Sequence, residues 1–189
     1  STLLLEQACA AASAWPSHVS LAFNVSGAML QEASFGLTVV QLLARSGLAP
    51  HRLELEITES ALVRDLEAAR VMLGELRRIG VRIALDDFGT GYSSLYHLRA
   101  FKPDKIKIDR SFVDGMADDP DNAAIVQALI GLGSGLGAII TAEGVETAEQ
   151  EAFLRRQGCD QGQGRLFSHA VDATEAATLV GLSLERRSA

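Results

Sequence analysis

The chain has 189 residues, of which 48% are hydrophobic and 22% charged, and this composition suits one soluble domain with a sizeable core. No apolar run approaches the ~20 residues that cross a bilayer, so we expect no membrane contact from this segment. The net charge of −7 argues against a protein that binds nucleic acid polymers through a basic surface. A negative net charge is compatible with a small phosphorylated ligand, provided that a metal ion or a few cations neutralise the ligand locally.

Six short apolar segments, each with a polar residue near one end, are predicted to be strands that alternate with helices. The strands cover residues 19–25, 53–58, 81–87, 105–109, 138–145 and 163–167, and helical patterns cover 3–14, 35–45, 65–79, 122–132 and 147–157. The polar residues recur about every 28 positions, close to the ~30 residues of one βα unit. This order predicts an α/β fold with a mostly parallel sheet.

The faces of the predicted strands favour a barrel over an open doubly wound sheet, whose strands would be apolar on both faces. In segment 53–58, Glu54, Glu56 and Thr58 alternate with apolar residues. Polar residues at the carboxyl ends of strands are typical of a barrel's active face, and a full (β/α)₈ barrel takes about 250 residues. We therefore expect residues 1–189 to form one TIM-like (β/α) barrel domain with about six of its eight strands, the N-terminal two lying upstream. Residues 181–189 are expected to be a disordered tail.

Two adjacent aspartates, Asp86 and Asp87, end the third predicted strand. Their charges repel each other, and a buried unpaired carboxylate is costly, so a divalent cation would relieve both problems. The alternatives are a pair of strand-end caps or a solvated turn. The strand-end residues are rich in oxygen and include no Cys or His, which favours Mg²⁺ or Mn²⁺ over Zn²⁺.

Six groups of residues, taken together, match the motifs of a known family. They are Asn24-Val25-Ser26, residues 56–60, residues 86–95, residues 105–113, residues 142–147, and Gly158-Cys159-Asp160 with Gln163-Gly164. In order and spacing they resemble the EAL domain, the bacterial cyclic di-GMP phosphodiesterase, over residues 3 to 180.

The resemblance implies a metal-dependent hydrolase that converts cyclic di-GMP to linear pGpG in bacterial second-messenger signalling, with two Mg²⁺ or Mn²⁺ ions. It implies a cytoplasmic protein that forms a homodimer, with a sensory or GGDEF-type domain upstream in the parent protein. Any membrane anchor would lie in segments outside this chain.

The same resemblance assigns roles to individual residues. Lys107 would bind and help to activate the attacking water, and Glu59 would hold the loop that follows Asp87 and couple the site to dimer contacts. Gln163 would position water or phosphate. In full, the implied metal ligands are Asn24, Glu56, Asp86, Asp87 and Glu143, the catalytic residues Lys107, Glu143 and Glu59, and the substrate-binding residues Gln163 and Asp109.

The chain departs from the family pattern in two respects. The Glu-Ala-Leu signature is absent, and we expect it upstream of Ser1. Arg165 stands where the family usually has an aromatic residue, and Ala170 replaces a common proline. A catalytically inactive cyclic di-GMP receptor or interaction module is the alternative function, and an unrelated barrel lyase using Lys107 is a third. The full acidic set together with Lys107 favours the phosphodiesterase.

Overall fold

The computed structural model describes residues 2–63, 66–89, 98, 101–116 and 119–187, and it is an α/β structure in which strands alternate with helices. Its strands are β1 (Leu21–Val25), β2 (Leu53–Thr58), β3 (Arg82–Phe88), β4 (Lys105–Ile108), β5 (Ile139–Ala142) and β6 (Gln161–Gly162). Its helices are α1 (Thr2–Ser13), α2 (Gly27–Gln31), α3 (Phe35–Ser46), α4 (Glu59–Val63), α5 (Leu66–Arg78), α6 (Arg110–Gly115), α7 (Pro120–Leu136), α8 (Ala148–Arg156) and α9 (Ala173–Arg187), with a 3₁₀ turn at Pro50–Arg52. Among these helices, none combines the length and the apolar character that a bilayer crossing requires.

The six strands belong to one sheet whose strand order is the order in the chain. From β3 to β6 the neighbouring strands pair in parallel. This confirms the alternating pattern and the parallel pairing expected from the sequence. In the register of β4 and β5, Lys107 lies opposite Thr141, and the amide of Glu143 donates to the carbonyl of Ile108 at 3.1 Å. Lys107 and Glu143 therefore come to the same edge of the sheet.

Contacts along the chain define two compact units, one made of residues 1–55, 67–82 and 170–189 and the other of residues 56–66 and 83–169. In the first unit, α1 packs against α3, and Leu5 of α1 and Leu42 of α3 are buried. The buried guanidinium of Arg52 donates to the carbonyl of Val19 at 2.8 Å and to that of Ala12 at 2.7 Å. Arg52 thus ties the end of α1 to the segment that leads into β1.

In the second unit, α7 packs closely on the sheet. A Cβ atom at Gly133 would lie 1.9 Å from Cδ1 of Ile140, so this helix position accepts only a glycine at the present spacing. Val126 and Ile130 on the same helix are buried. Because Gly133 has no side chain, α7 can lie close to Ile140 of β5, the strand that leads to Glu143.

Several predicted elements have different bounds in the structure. The strand expected at 163–167 is wrong: β6 covers only Gln161–Gly162, because Gly164 presses against the backbone of Val145 and the chain turns there. Helix α7 continues four residues beyond the predicted end at 132 and stops at Gly137, whose φ of 74° is left-handed. Helix α9 includes residues 181–187, most of the segment expected to be a disordered tail.

Two aspartates hold the register of the sheet from its amino edge. The carboxylate of Asp104, just before β4, accepts from the amide of Ile83 at 2.9 Å, and that of Asp160, just before β6, accepts from the amide of Ile140 at 2.8 Å. Each aspartate therefore caps the second residue of the preceding strand in the sheet. Because a slip of one residue would turn every side chain of a strand to the other face, this capping helps to keep the polar side chains on one face.

We expect Asp104→Ala to lower the free energy of unfolding by about 1–3 kcal/mol, since the amide of the fully buried Ile83 would lose its acceptor. Asp104→Asn retains an acceptor oxygen and should recover part of the loss. Urea denaturation of both variants measures this, with Glu67→Ala, which breaks an exposed pair with Arg70, as the control. A loss no larger than the control's would contradict the capping role.

Candidate metal centre and active site

Lys107 is the centre of the site, and the alternation of β4 explains its position. Ile106 and Ile108 pack into the core on one face of the strand, so Lys107 between them projects to the other. Its side chain is only 4% exposed, which is rare for a lysine and requires compensating charges.

Three carboxylates supply that compensation. Nζ of Lys107 lies 2.6 Å from Oε1 of Glu143, 2.8 Å from Oε2 of Glu56 and 3.0 Å from Oδ1 of Asp86. These acids come from the carboxyl ends of β2 and β3 and from the residue that follows β5. An ammonium group has three N–H donors, and the three carboxylates can accept all of them.

The contacts fix the protonation state of the lysine. Burial by itself lowers the pKa of Lys107, but hydrogen bonds to Glu143 and Glu56, together with their charges, outweigh it and hold the pKa above its ordinary value. The side chain is therefore an ammonium ion at neutral pH. It can donate hydrogen bonds and balance charge, but it cannot act as a base.

The acids respond differently to the same environment. Burial raises the pKa of Glu143 above its ordinary value, the hydrogen bond from Lys107 partly offsets the rise, and Asp86 and Glu56 add to it. Burial also raises the pKa of Asp87, with further increases from Asp86 and Asp109. The ionisation of Glu143 and of Asp87 is thus disfavoured without a further cation.

The geometry of the acids suits a divalent ion. Single carboxylate oxygens of Asp86, Asp87 and Glu143 lie within 4.8 Å of one another. Asp87 reaches this position through a left-handed backbone, φ 53°, which turns it away from the strand alternation and beside its neighbour. Carboxylate oxygens are the ligands that Mg²⁺ and Mn²⁺ prefer, so the donor set fits the ions expected from the sequence.

The remaining predicted residues lie at the ends of their elements. Glu59 is the first residue of α4 and is buried, but residues 90–95 of the loop that it was expected to hold, residues 87–95, lie outside the described part of the chain. Asn24 is the penultimate residue of β1. Gln163 follows β6 and is exposed. Asp109 caps α6, where its carboxylate accepts from the amide of Ser111 at 2.9 Å and from the hydroxyl of the same residue.

Sequence reasoning missed one group of charged side chains at the same edge of the sheet. The guanidinium groups of Arg110 and Arg165 both contact Oε1 of Glu146, at 3.2 and 3.4 Å. Each of these residues follows the end of a strand by two to four positions, and that spacing was the available signal. The sequence pointed to Arg165 only as a departure from the family pattern.

A family model described as the EAL domain matches residues 1–170. The chain is 43% identical over 176 residues to the bifunctional diguanylate cyclase/cyclic di-GMP phosphodiesterase MucR of Pseudomonas aeruginosa, covering 91% of this chain and 26% of that protein. The first curated relatives are matched over about a fifth to a quarter of their length.

Solved structures of EAL-type proteins have a similar fold. The cyclic di-GMP complex of the MucR phosphodiesterase superposes with a TM-score of 0.89 at 40% identity, covering 93% of this chain and 72% of that one. A manganese and cyclic di-GMP complex of Klebsiella pneumoniae BlrP1 superposes with a TM-score of 0.81 at 33% identity, covering 89% and 43%. These likenesses confirm the expectation of a TIM-like α/β fold of the EAL type.

We expect Lys107→Met to lower the free energy of unfolding by about 3–5 kcal/mol near neutral pH in the absence of divalent ions, because the buried acids lose their counter-charge. Lys107 lowers the pKa of Glu143, so its removal raises that pKa further above the unfolded value. A carboxyl with a raised pKa weakens the fold as pH rises through it, so the loss should shrink at low pH.

Urea denaturation at about pH 7.5 and about pH 4.5, in chelator, measures this difference, since ordinary carboxyl pKa values lie near 4. Lys102→Met, which removes an exposed ammonium, is the matched control and should change little at either pH. Equal losses at both pH values for Lys107→Met would mean that packing, not charge, accounts for its effect.

Proposed function

Because the chain belongs to the EAL domain family, we propose that it carries the active site of a metal-dependent phosphodiesterase that hydrolyses cyclic di-GMP to linear pGpG. The observation that carries the proposal is the buried contact of Lys107 with Glu56, Asp86 and Glu143. The names of MucR and the ligands of the solved MucR and BlrP1 complexes support the substrate.

Two Mg²⁺ or Mn²⁺ ions are proposed as cofactors, with Asp86, Asp87, Glu143 and Glu56 as ligands. When bound, such ions neutralise the phosphate and lower the pKa of an attacking water. Asp86 and Asp87, being adjacent, can serve neighbouring ions. Asn24 is assigned to the ligand set by the resemblance alone and stays a prediction.

The reaction is the addition of one water to one phosphodiester. The water oxygen bonds to phosphorus, the bond from phosphorus to the ribose 3′ oxygen breaks, and that oxygen gains a proton. The product keeps a 5′ phosphate and gains a 3′ hydroxyl. Catalysis must therefore remove a proton from water and stabilise negative charge on the phosphate oxygens.

The side chains divide these tasks by charge. Lys107, an ammonium ion at neutral pH, would donate a hydrogen bond to the attacking oxygen or the phosphate. Glu143, whose pKa is raised, is a better proton acceptor than an ordinary exposed carboxylate. Its contact of 2.6 Å with Lys107 keeps the two groups within reach of one reacting atom.

The other predicted roles belong to the same proposal. Gln163, exposed beyond β6, would position water or phosphate, and Asp109, the cap of α6, would contact the substrate. Glu59 would transmit changes at the site to a second copy of the chain in a homodimer. A sensory or GGDEF-type domain elsewhere in the natural protein would supply the signal.

The first test is an assay of the full-length natural protein with cyclic di-GMP and Mg²⁺ or Mn²⁺. We expect pGpG, detected by chromatography. Asp86→Asn should abolish turnover. It should also weaken Mn²⁺ binding by more than about 100-fold, since losing a residue that only supports a metal ligand typically weakens binding by about 10- to 100-fold. Asp121→Asn, in the first turn of α7, is the matched control and should stay active.

Circular dichroism separates loss of chemistry from loss of folding. An active, folded Asp86→Asn variant would remove Asp86 from the metal ligands. A wild-type protein that binds cyclic di-GMP but releases no pGpG with either metal would be a receptor, and the enzyme proposal would fail.

We expect Lys107→Met to reduce turnover by about 10²- to 10⁴-fold, as for loss of a group that acts on the nucleophile, while cyclic di-GMP affinity changes much less. Single-turnover kinetics and calorimetry measure the two effects. An affinity loss as large as the rate loss would mean that Lys107 only holds the substrate.

A further inference from the structure

Four charged side chains form a cluster beside the proposed active site, which we call the rim cluster: Arg110, Asp114, Glu146 and Arg165. Arg110 begins α6 directly after β4, and Glu146 follows β5 by four residues. The segment that carries Arg165 lies along the backbone at Val145, which donates to the carbonyl of Gln163 at 2.9 Å and accepts from the amide of Leu166 at 3.1 Å. Arg165 is therefore placed at the edge of the sheet that carries Glu143.

Arg110 is the fixed member of the cluster. Its Nε lies 2.8 Å from Asp114 and its Nη2 lies 3.2 Å from Glu146. Gly144, with φ 68°, leaves room for the stem of this arginine, since a Cβ atom there would lie 2.3 Å from Cγ of Arg110. Arg110 thus makes two ion pairs within the protein, one with Asp114 and one with Glu146.

Arg165 is the available member. Within the described part of the chain its acidic partner is Glu146, met by Nη1 at 3.4 Å, and its side chain is 63% exposed. A guanidinium has five N–H donors in a rigid fork. A single contact at one nitrogen orients the fork and leaves its other donors able to meet a ligand.

The charge of the cluster indicates which kind of ligand. Arg110 and Arg165 carry two positive charges, and Asp114 and Glu146 carry two negative ones, so the cluster is neutral. A neutral cluster attracts a phosphate only weakly, but it still presents directed N–H donors. Such donors suit an uncharged group with two adjacent acceptors.

We propose that Arg165 determines base specificity by donating hydrogen bonds to O6 and N7 of a guanine of cyclic di-GMP. Guanine offers two acceptors on this edge, whereas adenine presents an amino donor beside N7. The inference rests on the proposed substrate and extends it to the discrimination between bases. Arg165 is a specificity residue, distinct from the groups that act on the phosphate.

The test compares cyclic di-GMP with cyclic di-AMP in the full-length protein and in Arg165→Ala. We expect the KM and the calorimetric Kd for cyclic di-GMP to rise about tenfold to a hundredfold with kcat within about twofold, and the values for cyclic di-AMP to change little. The preference for guanine should fall by the same factor. Arg155→Ala, which removes a 79% exposed arginine in a single pair with Glu151, is the matched control and should behave as wild type.

Each other outcome overturns the inference in a distinguishable way. Equal weakening of both dinucleotides would mean a phosphate contact, and unchanged affinity would mean a purely structural ion pair. Calorimetry tests the base preference even in a protein that binds without hydrolysis. A wild-type protein that binds neither dinucleotide would overturn the proposed function itself, and with it the role of Arg165.

Discussion

The site depends on one electrostatic constraint, the burial of a lysine among carboxylates. Lys107 balances one of the negative charges brought together by Glu56, Asp86, Asp87 and Glu143. The remaining charge is negative and lies in a poorly solvated place, where carboxylates repel one another. A divalent cation would relieve this repulsion, so the arrangement suits the proposed metal site.

The sheet is what makes such a cluster possible. Parallel strands bring their carboxyl ends to one edge, and strand alternation selects which side chains face the site. Asp104 and Asp160 hold the register from the opposite edge, and Gly133 allows α7 to lie close on β5. A slip in the register of the strands would turn Lys107 away from its acids, so contacts remote from the site are a condition of its chemistry.

The sequence predicted the parts of this structure that depend on local periodicity. The helices ending at Gly47 and Gly80, the first five strands and the position of Lys107 among acids follow from alternation, end signals and the spacing of βα units. The strand expected at 163–167 was wrong because a short apolar run does not reveal that Gly164 meets the backbone of Val145. Nor does the sequence reveal the rim cluster, because Arg110, Glu146 and Arg165 are far apart in the chain and meet only when their strands pair.

Lys107 and its three carboxylates carry a net negative charge, whereas the rim cluster is neutral. This difference in charge suits two separate tasks of the proposed reaction, breaking the phosphodiester and recognising the base. Breaking a phosphodiester requires fixed negative ligands, a cation and an ammonium ion, all buried and strongly coupled. Recognising a base requires directed donors with little net field, which a neutral, exposed cluster provides. Arg165 meets Glu146, whereas Lys107 meets Glu56, Asp86 and Glu143, and the two sets share no carboxylate. If Arg165 reads the base as proposed, a change at the rim would alter which dinucleotide binds without removing a contact of Lys107.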